Sequence, residues 1–376
     1  MGVYQRLGVQ PVINARGMNT MASGSLMPQP VLDAIAEAAT AFVDMGELNR
    51  KAGEHIAKLI GVEAAHVTSG SAGGLLLSAA AVIAGEDPKA IVQLPDTTGL
   101  RDGIVIEACR RIRYDQALRT AGARLIEVGD ADGCTPEQME AGIDDRTAAI
   151  MYIVSPYLGN NGVTVEQAIE IAHRHGLPII VDGASTLPPV SHLTRWTSLG
   201  ADLVIYSGGK GIRGPQGSGL LLGRKDLIRA AAANGAPNGA IGRPAKVSKE
   251  DIVGLVTALE LFLEEDWTIE WNKHLEEARE IVGALDGLEG VSAIVDEDSS
   301  VWTSPTILVS VDEKKTGLTP ELLVQRLETG GDRSILTRAF QGKLLVDPHN
   351  LRGDDASIVA RRLREECSKI AVPVTA

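Results

Sequence analysis

The apolar positions of this chain fall into two regimes. Through its middle, short unbroken runs recur: Ile91–Leu94, Ala149–Val154, Ile179–Val181, Leu203–Tyr206 and Leu220–Leu222. Runs of this length, rich in β-branched residues and without polar alternation, predict strands buried on both faces, as in a parallel sheet covered by helices. Between them the period changes. Val165, Ile169 and Ala172 recur at spacings of three and four, which predicts a helix over 165–173. Gly176 supplies its stop and Pro178 opens the next strand. Strand alternating with helix predicts a doubly wound α/β domain.

After residue 245 the pattern is different. Ser248 with Asp251 makes an approximate capping box. Apolar residues at Ile252, Leu255, Val256, Leu259, Phe262 and Leu263 predict a long helix that can run on to Leu285. Strands are predicted at 291–295, 306–311 and 343–346, and helices at 320–328 and 354–369. The expected organisation is a large α/β domain over 1–245 and a small α+β domain over 246–376, with segment 1–25 able to pack on the smaller one. No repeat, low-complexity tract or linker separates them.

Composition narrows the classes of function. The 376 residues suffice for about two domains and a core that needs no staples. The three cysteines, Cys109, Cys134 and Cys367, exclude a disulfide framework and a CxxC metal site, so no metal is expected. Thirty-six basic against 49 acidic side chains give −13, which argues against a nucleic-acid partner. The start, Met1 to Arg6, carries no targeting signal, and the longest apolar stretch, Leu75–Ala84, is too short to cross a bilayer. A cytoplasmic location without membrane association is expected.

Three features stand at predicted strand ends or helix starts, the edge where open α/β sheets bind ligands. Thr68-Ser69-Gly70-Ser71-Ala72-Gly73-Gly74 opens a helix over 75–84. Its small residues and free amides can cradle a phosphate, and it also reads as an ordinary N-cap. Asp182 follows the run Ile179–Val181, placed to hold a cationic ring nitrogen or to cap the next segment. Lys210 sits among glycines after Leu203–Tyr206, where its amine can become a nucleophile; a lone lysine is otherwise a surface residue. Gly209, Gly211 and Gly214 also match the G-x-G-x-x-G dinucleotide fingerprint, but the next run, Leu220–Leu222, reads as a strand where that motif requires a helix. Phosphate cup, acid and lysine on one edge are what a pyridoxal-phosphate site requires: an anchor, a partner for the ring nitrogen, and an amine for the Schiff base and proton transfer.

The sequence resembles fold type I pyridoxal-phosphate enzymes related to the bacterial L-seryl-tRNA(Sec) selenium transferase, in the subgroup holding D-glucosaminate-6-phosphate ammonia-lyase and amidohydrolase-associated homologues. The resemblance is carried by Pro11-Val-Ile-Asn-Ala15, Ser69-Gly-Ser-Ala-Gly73, Tyr114-Asp115, Ala121-Gly-Ala123, Val181-Asp-Gly-Ala184, Ser207-Gly-Gly-Lys-Gly-Ile-Arg-Gly-Pro-Gln216 and Ile241-Gly-Arg-Pro-Ala-Lys246. It implies Lys210 as the Schiff-base lysine and Asp182 on the ring nitrogen. Ser69, Gly70, Ser71 and Ala72 are expected on the phosphate, and Ser207 beside the cofactor. Arg338 is the expected partner of a substrate carboxylate, since arginine binds carboxylates bidentately. Arg16, Arg213 and Arg243 are candidates for the phosphate or a further anionic group.

Three departures qualify the resemblance. The N-terminal tRNA-binding domain of the selenium transferases is expected to be absent, because Pro11 already begins the shared core, and with −13 a tRNA substrate is not expected. The ring-stacking residue is expected between 95 and 114, after a strand ending at Leu94, where Ala108-Cys109-Arg110 replaces a Gly-His-like element. Pro237-Asn238-Gly239 stands where relatives often have histidines. The run Arg110–Arg113 reads as solvated or subunit-facing surface, and His173 and His175 as partners of a helix end.

The expected reaction is α,β-elimination on a β-hydroxy amino acid or amino-sugar acid, giving a 2-oxo acid and ammonia. Alternatives are β-replacement, and racemisation or aldol cleavage. A nucleotide-binding Rossmann-type protein is the remote alternative. Sites of this fold are usually shared between protomers, so a homodimer or an assembly of dimers is expected.

Overall fold

The computed structural model describes residues 2–158 and 161–369. They form two compact units, one within 25–265 and one of 2–24 with 266–369. The division falls at Glu265, where the sequence pattern places it at 245. The helix Lys249–Glu264 belongs to the larger unit because Ile252, Leu255, Leu259 and Phe262 are buried in that unit's core. Ser248 caps it, accepting the Asp251 N–H at 3.0 Å. It does not run on to Leu285: a new helix, Trp267–Gly283, begins after Asp266, whose side chain accepts the Thr268 N–H.

Strand β1 (Ile13–Asn14) lies in the smaller unit. The larger unit holds β2 (Ala64–Thr68), β3 (Gly103–Glu107), β4 (Arg124–Val128), β5 (Thr147–Ile153), β6 (Ile179–Asp182), β7 (Leu203–Ser207) and β8 (Gly219–Gly223). They form one sheet in the order β2-β8-β7-β6-β5-β3-β4. β8 runs antiparallel to both its neighbours, and all other pairs are parallel. The carboxyl ends of β2, β3, β4, β5, β6 and β7 therefore share one edge. Alternate strand residues feed two cores, one on each face of the sheet, as uninterrupted apolar runs require.

Of the predicted strands in this unit, Ile91–Leu94 is the exception. It lies in a helix, Pro88–Gln93, with Asp87 as N-cap accepting the Lys89 N–H at 2.9 Å. A run as short as Ile-Val-Gln-Leu does not separate strand from helix, and the Asp-Pro start signal settles the matter. The smaller unit closes with β9 (Val291–Asp296), β10 (Thr306–Val311), β11 (Ile335–Leu336), β12 (Arg338–Phe340) and β13 (Lys343–Val346). β1 pairs with β11 in parallel, and β12-β13-β10-β9 form an antiparallel sheet. Helices Pro320–Thr329 and Asp355–Ser368 pack on its core. Among the described residues, no helix is long and apolar enough to cross a membrane.

Candidate active site

The topology brings the three predicted features to one edge of the larger unit. Ser69 follows β2, Asp182 ends β6, and Lys210 lies three residues beyond β7. Strands in a sheet are spaced about 4.8 Å apart, so the three positions lie within about 15 Å across that edge. Gly219 of β8 faces Thr68 on one side and Ser207 on the other, which ties the loop after β2 to the turn after β7.

The loop after β2 is built for a close approach. Ser69 starts the helix Gly70–Ala84, yet its hydroxyl makes no capping bond. Gly70 has φ +66°, which glycine adopts without strain. The bond of Gly73 N–H to Ser69 O, 3.2 Å, already belongs to the helix, and the amides before it have no intrahelical partner. Thr68 Oγ1 donates to Gly70 O at 2.9 Å and holds the loop in shape. A Cβ on Gly219 would stand 2.4 Å from the Gly70 carbonyl, so no larger residue fits behind the loop. Ser69, Gly70 and Ser71 are half-buried and Ala72 is exposed. Free amides at the start of a fifteen-residue helix, with hydroxyls beside them, suit a phosphate.

Asp182 is buried, with 4% of its surface exposed. Burial pushes its carboxyl above the ordinary carboxylate range, while the Ala184 N–H, donating to Oδ1 at 2.9 Å, and the charge of Lys210 pull it down. An acid placed at such cost, with a lysine close enough to act on it, has the features of a functional pair.

The glycines around Lys210 have a steric reason. A Cβ on Gly209 would lie 2.4 Å from Gln216 Cα, and one on Gly211 would lie 2.3 Å from Leu187 O. The turn closes on itself through Gly208 N–H to Ser218 O (3.0 Å), Gly214 N–H to Gly208 O (2.8 Å) and Arg213 N–H to Lys210 O (2.9 Å). No helix follows: after the turn comes β8, so the fingerprint-like spacing of Gly209, Gly211 and Gly214 serves a tight strand–turn–strand connection.

The arginine candidates divide. Arg213 sits at φ +58° and forms an ion pair with Glu265. Arg243 is exposed. Arg338 lies on β12 of the smaller unit, where its Nη2 donates to Arg16 O at 3.0 Å. Arg16 Nε is buried without a hydrogen-bond partner there.

The region expected to hold the ring-stacking residue needs correction. The strand that precedes it is β3, ending at Glu107, and Ala108–Arg110 form a 3-10 turn directly after it. Arg110 is not solvated surface: it is 6% exposed and its Nε donates to Glu107 Oε2 at 2.6 Å. Its guanidinium lies 4.4 Å from the centre of the Tyr152 ring. Glu107 also accepts the Val163 N–H at 2.8 Å. Burial raises the Glu107 carboxyl and the charge of Arg110 opposes that. An acid and an arginine three apart after Gly103-Ile-Val-Ile106 were the available signal. Arg111 pairs with Asp115 and Glu127. His173 and His175 meet Asp202 at 3.0 Å and Glu140 at 2.7 Å. Sequence reasoning also missed Ser25, whose N–H donates to Gly209 O at 3.0 Å and braces the lysine turn from a distant part of the chain.

Comparison with known proteins gives the family. The family model described as L-seryl-tRNA selenium transferase matches residues 25–280. A D-glucosaminate-6-phosphate ammonia lyase of Salmonella typhimurium is 31% identical over 371 residues, covering 96% of this chain and 97% of that one. A 5′-C-glycyluridine monooxygenase-decarboxylase of a Streptomyces species is 34% identical over 372 residues, covering 96% and 91%. The solved structure of a D-glucosaminate-6-phosphate ammonia-lyase superposes with a TM-score of 0.83 at 30% identity, covering 99% of this chain and all of that one. The fold is that of the type I pyridoxal-phosphate enzymes.

Proposed function

This chain belongs to the L-seryl-tRNA selenium transferase family of enzymes, and from that premise we propose that it is a pyridoxal-phosphate-dependent lyase. It removes the β-hydroxyl and the amine of a β-hydroxy amino acid or amino-sugar acid, releasing a 2-oxo acid and ammonia. One observation carries the assignment: a buried aspartate, Asp182, ends β6, and Lys210 lies three residues beyond the neighbouring parallel strand β7.

The residues present fit the cofactor. Ser69, Gly70, Ser71 and Ala72 offer hydroxyls and helix-start amides to its phosphate. Ser207, paired with Gly219 at the end of β7, flanks the same edge. Bound there, pyridoxal phosphate supplies an electron sink for charge developing at the substrate α-carbon. Asp182, as an anion, holds a proton on the ring nitrogen. Lys210 would hold the cofactor through its amine, and that amine is the group that would take the substrate α-proton and return a proton to the leaving hydroxyl. By family resemblance, Arg338 is the candidate partner of the substrate's carboxylate and Arg16 a candidate for the phosphate or a further anionic group. Arg213 has the weaker claim on substrate, since Glu265 engages its charge. The protein acts in the cytoplasm on small molecules, as a homodimer or an assembly of dimers.

The test begins with absorbance. Purified protein is expected to show a visible band that borohydride removes and that Lys210→Ala lacks. A panel of β-hydroxy amino acids and phosphorylated amino-sugar acids then follows, with ammonia and 2-oxo acid as readouts. Absence of the band and of reconstitution by added cofactor would overturn the assignment. The second reading comes from the Streptomyces relative, a monooxygenase-decarboxylase whose named substrate carries a glycyl group on a sugar carbon. Oxygen uptake with release of carbon dioxide, and no ammonia, would favour it. A substituted amino acid as product would instead mark β-replacement.

A further inference from the structure

The larger unit contains a cavity of about 780 Å³ bounded by the helix Met45–Ile60, β2 and the helix Lys225–Ala233. None of its lining residues belongs to the proposed cofactor site. Its volume lies in the range of small-molecule pockets, roughly 300–1,000 Å³. Among the described residues, β2 is an edge strand, paired only with β8. The helix Met45–Ile60 covers that edge so closely that a Cβ on Gly53 would lie 2.3 Å from Ala65 O. The hollow remains beside this contact, walled mainly by small apolar residues such as Ala57, Ala232 and Ala233.

Two observations say what fits there. The first is His66 on β2, which lines the cavity and is only 6% exposed. Its imidazole makes no hydrogen bond among the described residues, and burial holds it neutral at pH 7, with a pKa lowered to about 4. The second is charge. Four cationic and three carboxylate side chains line the cavity of a chain whose net charge is −13. Arg50 pairs with Glu54 at 2.8 Å and Arg229 with Glu86 at 2.9 Å, while Glu63 accepts the backbone N–H of Lys225 at 3.0 Å. The ammonium groups of Lys58 and Lys225 enter no ion pair among the described residues. One surplus positive charge selects a monoanion over a polyanion or a cation, and the alanine-rich wall selects an apolar body.

We propose that this cavity is a ligand site for a small amphipathic carboxylate. The apolar part lies against the alanine wall, Lys58 and Lys225 neutralise the acid group, and the His66 imidazole, which lines the cavity, serves as a hydrogen-bond donor.

Octanoate is the probe and isothermal titration calorimetry of the cofactor-loaded enzyme the measurement, with octylamine as the control of opposite charge. One octanoate is expected per chain. Affinity is expected to fall at least about tenfold in Lys58→Glu/Lys225→Glu and in Ala232→Trp, and octylamine is expected not to bind. Octanoate is also expected to protect Lys58 and Lys225 from acetylation, read by mass spectrometry. Both lysines are exposed, so the charge-reversal variant tests the site even if the tryptophan variant fails to fold. No binding at millimolar octanoate, or binding that the charge reversal leaves unchanged, overturns the proposal. So does a charge reversal that alters oligomeric mass without any octanoate bound, because the cavity is then a face for a second copy of the chain.

Discussion

Asp182 is a carboxylate in a place that penalises carboxylates. Burial raises its pKa, so the folded chain holds its proton more readily than the unfolded chain does. Its contribution to stability is therefore present below the unfolded pKa and is lost as pH rises through the raised folded pKa, so ionising Asp182 in the cofactor-free protein costs stability. Asp182→Asn removes that cost. Thermal unfolding of the cofactor-free variant is expected at a higher Tm than the parent. Turnover is expected to fall roughly 10²–10³-fold, the loss usual for an electrostatic group aimed at developing charge. A lower Tm would mean that the carboxylate serves the fold rather than the reaction. His66 has the opposite sign. Its folded pKa of about 4 lies below the ordinary 6.5, so its contribution is complete above 6.5 and is lost as pH falls toward 4. That loss is of the order of 3 kcal/mol. Urea unfolding at pH 7 and pH 4.5 is expected to show a smaller acid-induced loss for His66→Phe, and an equal loss in both proteins would dismiss His66 as the cause.

At the scale of elements, Gly219 of β8 stands against the carbonyl of Gly70, where a Cβ would lie at 2.4 Å, and against Thr68 Oγ1 at 2.7 Å. Gly219→Ala must push the start of the helix Gly70–Ala84 away from the sheet. Overpacking of this kind costs about 1–3 kcal/mol. The expected result is a protein that folds but binds pyridoxal phosphate about tenfold more weakly or worse, measured by titrating the cofactor-free form; unchanged affinity would remove the Ser69–Ala72 loop from the phosphate site. Gly219 was visible in sequence only as one glycine among many, because its role depends on a partner 149 residues earlier. The same holds for Ser25 against Gly209. The central strands β5, β6 and β7 were legible because burial on both faces leaves an unbroken apolar run. β2, written Ala-Ala-His-Val-Thr, lacks that mark, and Gln93 sits in a helix that an Asp-Pro start signal selects over the apolar run beside it. The positions of Asp182 and Lys210 at the sheet edge were legible for a chemical reason, since Asp182 directly follows an apolar run and Lys210 follows another after a short Ser-Gly-Gly turn. The Glu107–Arg110 pair was not, because a charged residue reads as solvated until its buried partner is known.

The whole molecule combines a strongly acidic balance with exposed apolar side chains. Phe42 lies in the turn between the helices Gln29–Ala39 and Met45–Ile60 and is fully exposed, next to Val43 at 49%. A fully exposed aromatic side chain beside another apolar residue is a candidate contact surface. Like charges on two chains of −13 repel each other, so a self-association that persists must draw on apolar burial. Apolar contact and charge repulsion respond differently to salt: screening weakens the repulsion and leaves the apolar contact in place. Light scattering coupled to size exclusion is therefore expected to give about twice the chain mass of 39.6 kDa between about 0.1 and 0.5 M salt, with no dissociation at the upper end. Phe42→Ser is expected to shift the mass toward that of a single chain, most at low salt where repulsion is least screened. A parent that elutes as 39.6 kDa at every salt concentration would end the homodimer reading, and the cofactor site would then have to be complete within one chain.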